Sequence, residues 1–294
     1  MSLWMKENRN YERNCIVTCA LSGVVASRAQ CPGIPYKPEE YAAEAKRAWE
    51  AGAAVVHIHA RTPDGLPSYE VADYRNIYEA VTAACPVIIN FSTGAVGVPT
   101  EKKTAPITAL KPAIGALNMG SMNYAKYHPK KKDFVFEFVF VNPFSEITAI
   151  IKAMNEVGTK PEMECFDLGH VTSALPLIDQ GLVTPPYQFS LIMGVLGGVA
   201  PTVSNLVAMV EQCPADSEWE VIGISLDQWR LVGAAIALGG NIRVGLEDNF
   251  YLSQGVMATG NGDLVTKAVR MIRDQGREPA TVDECRERLK LKNR

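Results

Sequence analysis

The stretch PEEYAAEAKRAWEAGAAVVHIHA, Pro38–Ala60, carries one complete repeat unit of the fold. It opens with a proline and two acidic residues and passes a glycine at Gly52, the start and stop signals of a helix. Directly after comes AVVHIHA, Ala54–Ala60, a short apolar run that reads as a strand. The run is nearly continuous rather than alternating, which suits a parallel sheet covered on both faces.

The same unit recurs on either side. Cys15–Leu21 precedes it as a first apolar run. Val87–Phe91, Ile114–Met119, Glu162–Phe166, Gln188–Met193, Trp219–Ile224 and Ile242–Leu246 follow it. Between them Val71–Ala84, Glu101–Leu110, a segment from Asn142 to Glu156, Val171–Gly181, Thr202–Gln212 and Asp227–Leu238 read as helices, with Asn142 placed to cap the third of these. Eight strand candidates, each followed by a helix, predict an α/β chain closed into a (β/α)8 TIM barrel. An open Rossmann-like sheet is the alternative, but no G-x-G-x-x-G follows the first strand.

No linker or composition shift divides the chain, so the expectation is a single barrel domain over residues 1–294. A polar N-terminal arm of about 14 residues would precede it. Helices over Gly262–Gly276 and Thr281–Leu291 would form a C-terminal extension. An insertion after the fourth strand holds Lys130–Lys132, read as a solvated loop face, and the aromatic run Phe134–Phe140.

The formal charge of −3 carries no basic field, so nucleic acid is not an expected partner. No apolar stretch is long enough to span a membrane, and the polar N-terminus lacks the apolar core of a secretory signal. Seven cysteines, an odd number without C-x-x-C spacing, read as reduced thiols of a cytoplasmic protein.

Catalytic groups of a barrel lie at the C-terminal ends of its strands. His57 and His59 stand two residues apart near such an end, so both imidazoles face one side and suit one metal ion. Glu247 and Asp248 follow the eighth strand, and a carboxylate there would complete a two-histidine, one-carboxylate set with open positions. That set fits zinc, another divalent metal or non-haem iron. The bland readings are hydrogen-bonded structural histidines and a solvated acidic pair. Ser92, Thr93 and Gly94 follow the third strand and could hold a carboxylate or carbonyl, or form a plain turn. Glu162 and Glu164 share one face of the fifth strand. Arg243, four residues before Glu247, could pair with a substrate carboxylate or with Asp248.

Taken together, HIHARTPDGLPS (His57–Ser68), STG (Ser92–Gly94), LKP and LNMGS within Leu110–Ser121, PEMECFDLG (Pro161–Gly169), GVLGG (Gly194–Gly198) and GLEDN (Gly245–Asn249) resemble the β-keto acid cleavage enzymes over nearly the whole chain. The resemblance implies a homotetrameric barrel with zinc on His57, His59 and Glu247, and acetyl-CoA as co-substrate. The implied reaction turns a β-keto acid and acetyl-CoA into acetoacetate and a new acyl-CoA. Asp248 would be the base and Arg243 its partner. Glu164 would line the site, and Ser92, Thr93, Gly94 and Asn118 would contact substrate. The sequence departs from members that take cationic substrates. Val25 stands where those carry an acid, and Ala116 where a threonine contacts substrate, so an apolar or uncharged tail is expected. A metal-dependent barrel hydrolase, with His170 as a further imidazole, and a non-catalytic protein with structural zinc are the competing readings.

Overall fold

A computed structural model describes residues 13–292. The arm expected at the N-terminus lies, up to residue 12, outside the described residues.

The strands β1 (Val17–Ala20), β2 (Val55–Ile58), β3 (Ile88–Ser92), β4 (Ile114–Asn118), β7 (Lys160–Cys165), β8 (Tyr187–Met193), β9 (Ser217–Gly223) and β10 (Asn241–Val244) form a closed barrel in the order β1-β10-β9-β8-β7-β4-β3-β2. Every pairing in it is parallel. The helices α1 (Pro38–Glu50), α2 (Val71–Ala84), α3 (Thr100–Leu110), α4 (Phe144–Val157), α7 (Val203–Gln212), α8 (Gln228–Ala237) and α9 (Asn261–Asp274) connect or flank the strands. Outward residues such as Val56, Ile58, Phe91, Leu117, Met163, Leu191 and Val221 are buried in one large apolar cluster with helix residues such as Ile77, Ile151 and Leu231. Burying that surface is the main drive for closure.

The helix α10 (Val282–Leu289) seals the opposite end. Its Cys285 and Leu289 pack with Ile16, Val55, Ile88 and Ile114, the first inward residues of four strands. A capping box at Thr281 and Glu284 fixes where it starts.

Above this plug the barrel interior is polar. Thr18 and Ser190 donate to Glu220 at 2.7 and 3.0 Å, and Asn90 and Gln188 donate to Glu162 at 2.8 and 2.7 Å. Barrel interiors are usually filled by branched apolar residues. A polar filling sacrifices packing energy, and it leads directly to the barrel mouth where the remaining charged groups gather.

Two local expectations are corrected, and the insertion after β4, left without elements by the sequence, is an antiparallel hairpin, β5 (Met122–His128) with β6 (Asp133–Phe140). Its aromatic run alternates: Tyr124 stacks on Phe138 at 5.2 Å and meets Phe140 and Phe166 edge-on. Lys130–Lys132 sit at its turn and are exposed. Asn142 does not cap α4, because Pro143 takes the cap position and Asn142 instead donates to the Gly120 carbonyl. The helix expected over Val171–Gly181 is two short pieces, α5 (Leu168–Thr172) and α6 (Leu175–Asp179). Asp167 caps the first, and Pro176, with no N–H to give, begins a new turn. The strands β11 (Tyr251–Ser253) and β12 (Val256–Met257) form a small ribbon beyond the barrel.

Candidate metal centre and active site

His57 is the third residue of β2 and His59 stands just past its end, so both rings point inward, 5.2 Å apart between centroids. The loop after β10 brings Glu247 to them. Its backbone turns back at Gly245, with φ +142°, where any Cβ would strike the Ala20 carbonyl at 2.2 Å. The Glu247 amide then donates to the same carbonyl. Glu247 Oε2 lies 3.8 Å from His57 Nε2, and Oε1 lies 3.4 Å from His59 Nε2.

These spacings fit a shared ion. Zinc–nitrogen bonds of about 2.0–2.1 Å give a tetrahedron with edges of roughly 3.3 Å. The donor atoms are otherwise idle: both His57 nitrogens and Glu247 Oε2 are buried without a hydrogen-bond partner. Such orphans are costly unless something takes them up. Burial, helped by Arg243, pushes His57 well below its ordinary range, so the ring is neutral and ready to ligate. Burial works against the charge of Glu247, but Arg243 above all outweighs it and holds that carboxyl well below the usual range.

Arg243, on β10, organises the acids. It pairs with Asp248 through two bonds of 3.0 Å, with Glu247 at 2.7 Å and with Glu164 at 3.3 Å. It is fully buried, and one guanidinium faces three carboxylates. A divalent ion would balance the excess negative charge of the ionised set. Burial pushes Asp248 up to about 7, against the pull of Arg243. A carboxylate poised near neutrality is suited to move protons. Burial raises Glu164 as well.

The residues after β3 and β4 form the neighbouring wall. A Cβ on Gly94 would sit 3.3 Å from Ser92 Oγ, 3.4 Å from Asn118 Nδ2 and 3.8 Å from His59 Cε1, so these groups converge on one small space. Ala116 lies inside the barrel beside Ser92 and Glu162. Thr93 is not turned to this space: its hydroxyl donates to the Ala116 carbonyl at 2.8 Å. Val25 stands 67% exposed on the loop after β1. His170 is remote from the metal ligands in its contacts, accepting from the Phe166 amide and packing against Gly120. The GVLGG loop is used by the hairpin: Ala125 donates to the Leu196 carbonyl, and a Cβ on Gly197 would lie 1.8 Å from the Asn123 carbonyl.

Several contributors escaped the motif reading. Arg61 donates to the carbonyls of Ser22, Gly23, Ala26 and Gly65, clamping the loop that bears Val25 and backs Glu247. Ser22 and Tyr41 both donate to the His59 carbonyl. Asn90, Gln188 and Glu220 lie deeper. Each was visible as a polar residue inside an apolar strand, a signal that marks inward polarity without saying what it serves.

The chain is similar to known proteins over nearly its full length. A family model described as beta-keto acid cleavage enzyme matches residues 14–291. The 3-keto-5-aminohexanoate cleavage enzyme of Fusobacterium nucleatum is 37% identical over 279 residues, covering 94% of this chain and 98% of that protein. The 3,5-dioxohexanoate:acetyl-CoA acetone transferase of Paraburkholderia graminis is 31% identical over 302 residues, covering 96% and 97%. Among solved structures, ObcA in a ternary complex with a C4-CoA adduct and oxalate superposes with a TM-score of 0.75 at 22% identity, over 88% of this chain and 68% of that one, a likeness of fold.

Proposed function

We infer the reaction from one premise: the chain belongs to the beta-keto acid cleavage enzyme family. The protein is an acetyl-CoA-dependent acyltransferase that cleaves a β-keto acid, giving acetoacetate and a new acyl-CoA. The observation that carries the site assignment is the convergence of His57, His59 and Glu247 on one point beside the Arg243–Asp248 pair. We assign the metal to those three residues, with zinc as the ion their donor set fits best.

When bound, the ion would act as a Lewis acid towards the keto and carboxylate oxygens of the acid and make its C2 proton easier to remove. Asp248 takes that proton. The carbanion at C2 attacks the acetyl carbon of acetyl-CoA, and the CoA thiolate leaves. The thiolate then attacks the original keto carbon. The C2–C3 bond of the first substrate breaks, the acyl group departs on CoA, and Asp248 returns its proton to C2 of acetoacetate. Arg243 holds Asp248 in place through two bonds and tempers the charge that builds beside it. Glu164 lines the site and anchors the far side of Arg243. Ser92, Gly94 and Asn118 hold the substrate carboxylate region, with Thr93 supporting their turn.

The tail of the β-keto acid is apolar or uncharged in this reading. Neither Ala116 nor Val25 carries a polar group that would favour a charged tail over an alkyl one. The relative named for an aminohexanoate substrate makes this a sharp test. Turnover of a panel of alkyl, amino-substituted and carboxylated β-keto acids should favour the alkyl ones. A clear preference for the amino-substituted acid would overturn the tail assignment. In the same assay Asp248→Asn should lower kcat by about 10²–10⁴-fold while metal content stays at the wild-type level. Unchanged kcat would remove Asp248 from the role of base.

The whole chain works as one barrel unit in this account, in the cytoplasm, where seven unpaired thiols are stable. No helix among the described residues is long and apolar enough to cross a membrane. Homo-oligomerisation is supported by the hairpin: Val135, Val139 and Val141 form an exposed apolar stripe beside the equally exposed Phe134 and Phe144.

A further inference from the structure

Beneath the metal ligands lies a second set of polar groups that the reaction scheme does not use. Glu162 is fully buried in the middle of the barrel, and its Oε2 accepts from both Asn90 Nδ2 and Gln188 Nε2. That one oxygen takes two amide N–H donors, so it is the accepting oxygen of the group and Asn90 presents its NH2 to it. The NH2 must face Glu162, and Oδ1 must therefore face away. Asn90 is aligned with His57 in the β2–β3 register, and its Oδ1 is buried without a hydrogen-bond partner. His57 Nε2 is the nitrogen that faces Glu247. Nδ1 is the one left to carry the ring proton, and it too is buried without a hydrogen-bond partner, so a buried donor and a buried acceptor stand on neighbouring strands at the same level.

We propose that Asn90, with its amide oriented by Glu162 and Gln188, is a positioning residue that accepts the Nδ1 proton of His57 and so fixes the tautomer and ring angle with which His57 presents Nε2 to the metal. The proposal rests on the metal reading above for its consequence, and for the tautomer on the strand register, the Asn90–Glu162 bond and the two unpartnered buried atoms. The physical need is plain. A fully buried imidazole with neither nitrogen engaged can exchange tautomers and tilt, and only one of the two tautomers offers a lone pair at Nε2. Outer partners of this kind typically set metal affinity within about one to two orders of magnitude.

The test uses two variants and two readouts on the full chain. Asn90→Leu keeps the volume of the side chain and removes the acceptor. Glu162→Gln keeps the shape of the anchor but relieves Asn90 of its fixed orientation, and serves where the leucine variant fails to fold. In metal-free protein, nitrogen-15 NMR of the histidine rings should show one His57 tautomer in the wild type and a mixture in both variants. In protein loaded with zinc, competition with a chelator should show release about 10–100-fold faster from Asn90→Leu, with a smaller effect in Glu162→Gln. A single unchanged tautomer in both variants, with wild-type release rates, would overturn the proposal. A mixed tautomer in the variants of a protein that takes up no zinc at all supports the positioning role and overturns the metal reading instead, so the two failures are told apart.

Discussion

At the scale of single residues, the site is a problem in buried charge. Arg243 is surrounded by Glu164, Glu247 and Asp248, and farther down Glu162 and Glu220 form no ion pair among the described residues. Burial raises Glu220 above its ordinary value near 4.5, while hydrogen bonds from Thr18 and Ser190 and the field of Arg243 pull the other way. The sign of its effect on stability follows by linkage. Below about 4.5 the group is protonated whether the chain is folded or not, and it costs nothing. As pH rises through that value the unfolded chain ionises first, so the folded state loses ground until its own carboxyl titrates. Glu220→Gln removes this dependence. The variant should therefore gain stability relative to the wild type between pH 5 and pH 8, read by urea denaturation at both values; a constant difference would show that Glu220 ionises freely in place. His57, His59, Glu247 and Asp248 stood out in the sequence because they lie at or shortly after the C-terminal ends of strands. Asn90 and Gln188 were not, because a lone amide in an apolar run has no motif to mark its partner.

Elements explain how distant residues come to share one point. The eight strands were readable from their apolar runs, and the structure moves their ends by only a few residues, as for β7, which starts at Lys160 rather than Glu162. The misread segments are those whose periodicity was mixed. The aromatic run in β6 carries a phenylalanine at every second position, and the valines between them mask the alternation, so its hairpin was not evident. Its inner face packs with Tyr124 against Phe140 and Phe166, part of an apolar cluster with Ile192 and Ile222 at the mouth of the barrel. The outer face, with Val135 and Val139, is open. If a second copy covers it, the paired substitution Val135→Lys and Val139→Lys should shift the protein to a smaller species in sedimentation velocity. An unchanged sedimentation coefficient would move the interface elsewhere. The loop after β1 is held differently, by the Arg61 fork on four carbonyls, and nothing in the spacing of HIHART announces that its arginine serves the backbone rather than a substrate.

For the molecule as a whole, the barrel separates two tasks. One end is plugged by α10 over apolar residues, and the other gathers polar groups under loops from several strands. The mouth holds orphaned nitrogens, an acid pushed up to about 7 and more carboxylates than cations. This division was legible as a fold from the strand–helix repeat, but the chemistry needed the cross-barrel contacts that only closure creates. The central claim is that one acetyl group is exchanged onto a β-keto acid at this mouth. The most direct measurement supplies metal-loaded protein with unlabelled 3-oxohexanoate and acetyl-CoA carrying carbon-13 at both acetyl carbons, and reads the products by mass spectrometry. The account predicts acetoacetate heavier by two mass units and unlabelled butanoyl-CoA, formed in equal amounts and only when acetyl-CoA is present. Acetate and butanoate without label, formed equally well in the absence of acetyl-CoA, would contradict it and identify a hydrolase.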